Sequence, residues 1–270
     1  MSAPPAAVLF AFAVSGRPER LAGGQGTAWR AGDVVLKPLD MSLEALRWQS
    51  EVLGSIDTAG FRVAAPLRSR DGELAVDGWT AWPLLAGAHA PRWPEILAVG
   101  ERFHRALADV ERPSAILDAR TDGWARADRI VWGEAPAANF AGLPEVSHLL
   151  AARGAVSAPS QLIHGDLSGN VLFADGLPPA VIDLSPYWRP AAYASAIVAV
   201  DAVLWYGADA SLLATVARGE DGAQLLVRAL LFRLLASHDP AAAAGAYRPA
   251  IEVVDALLSA GVPGAARPGQ

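Results

Sequence analysis

Residues 163–173 read IHGDLSGNVLF, and residues 181–185 read VIDLS. In both, polar groups are bordered by β-branched and aliphatic residues, the pattern of short buried strands that end in turns. The strand-like QLI at 161–163 leads into a polar loop and VLF at 171–173 leads out of it, so Asp166 and Asn170 sit on a turn gripped at both ends. A third strand, in PAVIDLS at 179–185, delivers Asp183 at its end. An Asn carboxamide and an Asp carboxylate are oxygen ligands suited to Mg2+, which fills the rest of its shell with waters and substrate phosphates. Asp166, on the same loop, is placed to accept a proton from an incoming hydroxyl.

One Asp in a turn is more often a local cap than a reactive group. A second, distant set changes the balance. Gly23, Gly24, Gln25 and Gly26 form a glycine-rich turn ahead of the strand VVLKP at 34–38, where Lys37 stands alone among apolar residues. A Lys in such a place is costly to bury unless it meets an anion, and phosphate oxygens would supply one. The two sets together are what phosphoryl transfer from a nucleotide requires.

Composition narrows the alternatives. The chain has 270 residues, 53% hydrophobic and 19% charged, enough to bury one large core or two smaller ones. Its net charge of -6 comes without a long basic run, so the electrostatic footprint of a nucleic-acid binder is missing. With no cysteine there is neither a disulfide nor a thiolate ligand or nucleophile, and a reducing cytoplasm is the simplest home. No membrane association is expected. AAVLFAFAV at 6–14 follows MSAPP, which lacks a positive side chain, and reads as a buried strand or edge segment; AAYASAIVAVDAVLWYG at 191–207 carries Asp201 in its middle and reads as a buried core helix.

The pattern changes near residue 87, which divides the chain into a strand-rich part, 1–87, and a helical part, 88–270. In the first, one helix interrupts the strands: MSLEALRWQSEVLGSI at 41–56 has Ser42 as N-cap and Leu46, Leu53 and Ile56 on one face. Strand signals resume in FRVAAPL at 61–67 and ELAVDGWTAWPLL at 73–85. In the second, EILAVGERFHRALADV at 95–110 and GAQLLVRALLFRLLAS at 222–237 repeat apolar residues at helical spacing. The tail GVPGAARPGQ at 261–270 looks frayed.

HGDLSGNVLF with VIDLS, a glycine turn before VVLKP, and a strand-rich half ahead of a helical half resemble the aminoglycoside phosphotransferase and choline kinase-like family over roughly residues 20 to 205. The resemblance implies an α+β, two-lobed protein-kinase-like fold that moves the γ-phosphate of ATP to a hydroxyl of a small molecule with Mg2+. By that analogy Asp166 is the catalytic Asp, Asn170 and Asp183 are the Mg2+ ligands, and Lys37 lies on the nucleotide phosphates under Gly23 to Gly26. The same analogy puts the adenine slot at WTAWPLLAG, with the backbone around Pro83 and Leu85 along the adenine edge and Trp82 at its back.

The chain departs from the family pattern in three places. Asp166 to Asn170 is one residue shorter than usual, a gap that the backbone freedom of Gly169 could close. The helical Glu that should pair with Lys37 is ambiguous, because Gln49 holds the inward stripe and Glu51 lies about 200° away at about 100° per residue; the reading favours Glu51. Ser185 stands where the metal-binding turn usually has Gly.

His164, beside the catalytic Asp, is expected to brace the loop by hydrogen bonds, and His104 to pack or face solvent. The nine Trp exceed what a core needs, and Trp124, Trp132, Tyr187 and Trp188 could either pack or form a substrate wall. Acids and bases alternate over 111–160, so a sugar, an amino sugar or another polar metabolite fits as acceptor as well as a polycationic aminoglycoside does. The alternative is an inactive nucleotide-binding pseudokinase that acts through a partner.

Overall fold

The structure, a computed structural model, describes residues 2–21, 26–140 and 142–261. The chain forms two compact units, Met1–Ala90 with Asn170–Leu184, and Pro91–Gly169 with Ser185–Gln270.

The first unit contains α1 (Ala6–Ala11), β1 (Glu19–Arg20), β2 (Trp29–Ala31), β3 (Val34–Pro38), α2 (Leu43–Ser55), β4 (Arg62–Val63), β5 (Ala75–Val76), β6 (Trp79–Pro83) and β7 (Ala88–His89); β9 (Val171–Phe173) and β10 (Ala180–Val181) join it later in the chain. Five of these strands form a sheet in the order β1-β2-β3-β6-β5, and four form a second in the order β4-β10-β9-β7. The second sheet explains why the units do not follow a single break near residue 87. Val171 pairs with Val181 in a hairpin whose outer edges pair with β4 and β7, and this draws residues 170–184 back to the strand-rich unit. Arg62 ties the same strands together through the carbonyls of Pro178 and Ala86.

The core of this unit gathers Val8, Phe12, Ala31, Leu36, Trp79 and Ala81. Strand side chains alternate, so Leu36 faces that core and Lys37 faces the other way. The expected strand at 6–14 is a helix, α1. Pro5 supplies a suitable φ just before it, and Val8 and Phe12, one helical turn apart, are the residues that bury. Helix α2 is capped as its sequence predicts, the Ser42 hydroxyl accepting the Ala45 N–H at 3.1 Å.

The second unit contains α3 (Trp93–Ala106), α4 (Ser114–Asp118), α5 (Gly123–Val131), a single 3-10 turn at Ala138–Phe140, α6 (Pro144–Ala152), β8 (Gln161–His164), β11 (Pro186–Arg189), α7 (Ala191–Trp205), α8 (Ser211–Val216), α9 (Gly222–Leu235) and α10 (Pro240–Gly261). Its core is built on α7 and α9, which bury residues nearly all round, among them Tyr193, Ile197, Leu230 and Phe232. Among the described residues no helix is long and apolar enough to cross a membrane. Strands β8 and β11 pair antiparallel with His164 opposite Pro186, and the Gly165 N–H donates to the Ser185 carbonyl at 2.9 Å. The polar residues of interest in this unit are fixed at an end of that two-stranded ribbon or on α3, α7 and α9.

Candidate active site

Asp166 follows β8 by two residues on a loop whose backbone is pinned from beneath. The imidazole of His164, fully buried, accepts the Asp166 N–H through Nδ1 at 3.1 Å, and the His164 N–H donates to His104 Nε2 at 3.1 Å. His164 therefore has the geometry of a brace. His104 is buried as well, and burial followed by the neighbouring His164 lowers its pKa to about 3, so it stays neutral and accepts. Gly165 is the residue this loop needs, because a Cβ there would stand 2.4 Å from the Tyr187 ring.

The Asp166 carboxylate also meets a cation that the sequence reading did not single out. Arg233, on α9, donates from Nη2 to Asp166 Oδ1 at 2.8 Å, and to Asp201 from Nε at 2.7 Å and Nη2 at 2.6 Å. Ser168 in the same loop donates its hydroxyl to Asp201 at 2.7 Å. Burial opposes the charge on Arg233, yet Asp201 and Asp166 raise its pKa above the ordinary value. Burial likewise pushes the Asp201 carboxyl up while Arg233 and Ser168 pull it down. Asp166 itself remains 49% exposed. The loop is thus anchored on one side by two histidines and on the other by a buried ion pair.

In the strand-rich unit, Asn170 immediately precedes β9 and Asp183 follows β10. The pairing of Val171 with Val181 continues in a 3.0 Å bond from the Ile182 N–H to the Asn170 carbonyl, so both residues lie at one end of the hairpin. Lys37 reaches the same end and forms an ion pair with Asp183. The anion that this lysine meets is therefore a carboxylate of its own chain. Asp183 adopts a left-handed backbone with φ 53°, uncommon outside glycine. The Ile182–Asn170 bond holds the peptide before it, and the buried Gln49 amide donates to the Leu184 carbonyl after it at 3.2 Å.

Two expectations are corrected here. Glu51 does not pair with Lys37. It is exposed and has no ion-pair partner among the described residues, since the buried face of α2 presents Ala45, Leu46, Gln49, Val52 and Leu53 and turns Glu51 away. Gly169 does not use a left-handed backbone to offset the shortened loop; the unusual conformation sits at Asp183 instead. Gly23, Gly24 and Gln25 lie outside the described residues, while Gly26 has φ 64° and accepts a bond from Arg20 Nε at 2.7 Å. Trp82 and Pro83 end β6, Leu85 follows half-buried, and Lys37 Nζ lies 5.7 Å from the Trp82 ring centre. Among the described residues no group of three or more His, Asp or Glu is gathered for a metal ion, so the oxygen donors available at the hairpin are those of Asn170 and Asp183.

Of the four residues considered for a substrate wall, three pack. Tyr187 is buried against Phe232, Trp132 lies half-buried between the guanidinium groups of Arg189 and Arg228, each 4.9 Å away, and Trp188 is half-buried on β11. Trp124 is the exposed one, and Trp205 and Tyr206, at the end of α7, join it as exposed aromatics. The sequence signal for that pair was weak, because they close a run read as core helix.

A family model described as a phosphotransferase enzyme family matches residues 25–187. Solved structures are similar over nearly the whole chain. An aminoglycoside phosphotransferase from Alicyclobacillus acidocaldarius has 16% identity and a TM-score of 0.57, covering 97% of this chain and 96% of that one. A spectinomycin phosphotransferase, in complex with ADP and spectinomycin, has 11% identity and a TM-score of 0.56 over 94% and 96%. A choline/ethanolamine kinase family protein from Mesorhizobium loti has 19% identity and a TM-score of 0.56 over 93% and 94%. At such identities the likeness is one of fold. No curated protein sequence matches the chain.

Proposed function

Because this chain belongs to the phosphotransferase enzyme family, we propose that it is a kinase that moves the γ-phosphate of ATP to a hydroxyl of a small polar molecule. The observation that carries the reading is the Lys37–Asp183 ion pair at the end of the hairpin that also presents Asn170. A lysine on β3, a carboxylate and a carboxamide are together the groups that hold nucleotide phosphates and a hard cation. The ADP in the spectinomycin phosphotransferase complex supports an adenine nucleotide as donor.

In this reading Lys37 exchanges Asp183 for the phosphate oxygens, and Gly23, Gly24, Gln25 and Gly26 lie over them. Trp82, Pro83 and Leu85 line the adenine. Asn170 and Asp183 are the residues that would hold Mg2+, a role that their oxygen donors fit and that Asp183, already meeting a cation in Lys37, is disposed to take. When bound, the ion would supply positive charge to the nucleotide phosphates. Asp166 accepts the proton of the acceptor hydroxyl as the new phosphorus–oxygen bond forms and the bond to ADP breaks; His164 holds the Asp166 backbone in place.

The test is to incubate the chain with ATP, Mg2+ and a panel of hydroxylated metabolites, following the mass gain of one phosphoryl group, with Asp166→Asn as the silent control. Transfer to none of them, together with ATP binding that is indifferent to Mg2+, would leave the pseudokinase as the better description.

A further inference from the structure

Asp201 is the one charged residue of α7, a helix that is otherwise apolar, and it is fully buried against Arg233 on α9. Such a pair is weak ground for stability, because apolar residues of similar volume commonly hold a core as well. Its geometry points instead to the Asp166 loop. Arg233 donates to Asp201 from Nε and from Nη2, a fork that fixes the guanidinium in its plane, and Nη2 is also the nitrogen that meets Asp166 Oδ1. The Asp166 carboxylate is thereby located by two core helices as well as by its own loop. Two residues along that loop the Ser168 hydroxyl donates to Asp201, so one buried carboxylate ties the loop at two points. The rings of Phe232, Trp124 and Trp205 lie around the guanidinium, with centres 5.3 Å, 5.4 Å and 5.4 Å from it, and limit its movement.

The charges are arranged to match. Two carboxylates share one guanidinium, which leaves the three groups with one net negative charge. Asp201 receives two of the fork's bonds and the Ser168 hydroxyl besides, whereas Asp166 receives one bond from Arg233 and stays 49% exposed. The uncompensated charge therefore lies with Asp166. Without Asp201, Arg233 would pair with Asp166 alone and neutralise the group that has to accept a proton.

We propose that Arg233, oriented by Asp201, is a positioning residue for Asp166, a role that rests on the kinase reading above and deepens it. Arg233 sets where the carboxylate stands against the acceptor hydroxyl, and Asp201 keeps that contact from cancelling its charge.

The full chain is assayed with ATP and Mg2+ by ADP release, with water, glucose and glucosamine as acceptors. Ser168→Ala, Asp201→Leu and Arg233→Met combined make the triad apolar and strand no buried polar group, so this variant should melt within about 5 °C of wild type. Its kcat should fall at least about tenfold, as a misplaced reacting group demands, while its KM for ATP stays within about twofold. Arg233→Lys keeps the charge opposite Asp201 but not the planar fork, and should lower kcat at least about threefold. In an Asp166→Asn background neither change should lower the residual turnover by more than about twofold, a loss of additivity that a merely structural role would not produce. Wild-type kcat in either variant, a KM for ATP that rises as kcat falls, or equal losses in the two backgrounds each overturns the role. Should the apolar variant fail to fold, Arg233→Lys decides; if neither folds, the pair serves the core and the role falls. Wild type that releases no ADP with any acceptor also overturns it. A melting-temperature rise with ATP and Mg2+ in that case leaves the nucleotide site standing, and its absence removes the kinase reading too.

Discussion

Asp166 and Asp183 are both carboxylates at turns, and their surroundings assign them different work. Asp166 is bonded to a buried guanidinium and has its backbone held by His164, whereas Asp183 pairs with Lys37 at the end of a hairpin. Asp166→Asn keeps an oxygen for Arg233 but removes the proposed proton acceptor, so turnover should fall by about 10²–10⁴ with ATP affinity within about twofold of wild type by titration, as expected of a side chain that meets the acceptor and not the nucleotide. Loss of ATP binding with turnover per bound nucleotide intact would reverse the assignment. Gln49 yields a sharper case. Its amide donates to the carbonyl beside the left-handed Asp183, and an ionised Glu in its place sets acceptor against acceptor, at about 1–3 kcal/mol. Burial raises the folded-state pKa of that Glu above its unfolded value near 4.3, so the donor is present at low pH and lost as pH rises through the folded value. Gln49→Glu should therefore bind ATP–Mg2+ nearly as wild type does at pH 5 and clearly less well at pH 8; a deficit that does not change with pH would make Gln49 simple packing. The motif letters announce Asp166, Asn170 and Asp183. They are silent on Arg233 and Gln49, whose partners lie 67 and 135 positions away in the chain.

At the scale of elements, periodic segments were readable and short ones were not. The capped helix α2 and the apolar repeats of α3 and α9 announce themselves because each buries a face at helical spacing. The run 6–14 offered no such periodicity and was read as a strand, yet a preceding proline and two anchors one turn apart make it a helix. Two-residue strands such as β4 and β10 carry almost no local pattern; their pairing with each other is what defines them. The ribbon of β8 and β11 shows how one element positions another's chemistry, since Tyr187 on β11 packs over Gly165 so closely that no side chain fits. Gly165→Ala should cost about 1–3 kcal/mol in urea denaturation through overpacking, and it should lower turnover more than ATP affinity because Asp166 is the next residue. In the background Tyr187→Leu, which removes the obstructing ring, the same substitution should cost at least about 1 kcal/mol less. Equal costs in the two backgrounds would mean that the close approach to the ring is not what demands glycine.

The whole molecule divides in a way the letters could not disclose, because residues 170–184 join the first unit only through pairing with β4 and β7. Composition did anticipate a globular chain with ample core, since that follows from sums over residues and not from pairing. One property of the entire fold can be read from a single buried group. His104 accepts the His164 N–H, and its pKa falls from 6.5 to about 3 on folding. The unfolded chain takes up a proton at this site below pH 6.5 and the folded chain does not, so stability drops as pH falls from 6.5 toward about 3, by up to about 1.4 kcal/mol per pH unit. Carboxyls that Arg partners hold below their usual range, among them Asp122 and Glu134, act in the same direction but only below about pH 4.5. Between pH 7 and 5 the histidine's own share of the loss should be about 2 kcal/mol. His104→Gln keeps an acceptor for His164 and cannot titrate. Urea denaturation of the two proteins at pH 7 and pH 5 should show the wild type losing about 2 kcal/mol more than the variant over that interval. The same pH slope in both proteins would mean that His104 is not the neutral acceptor on which the Asp166 loop rests.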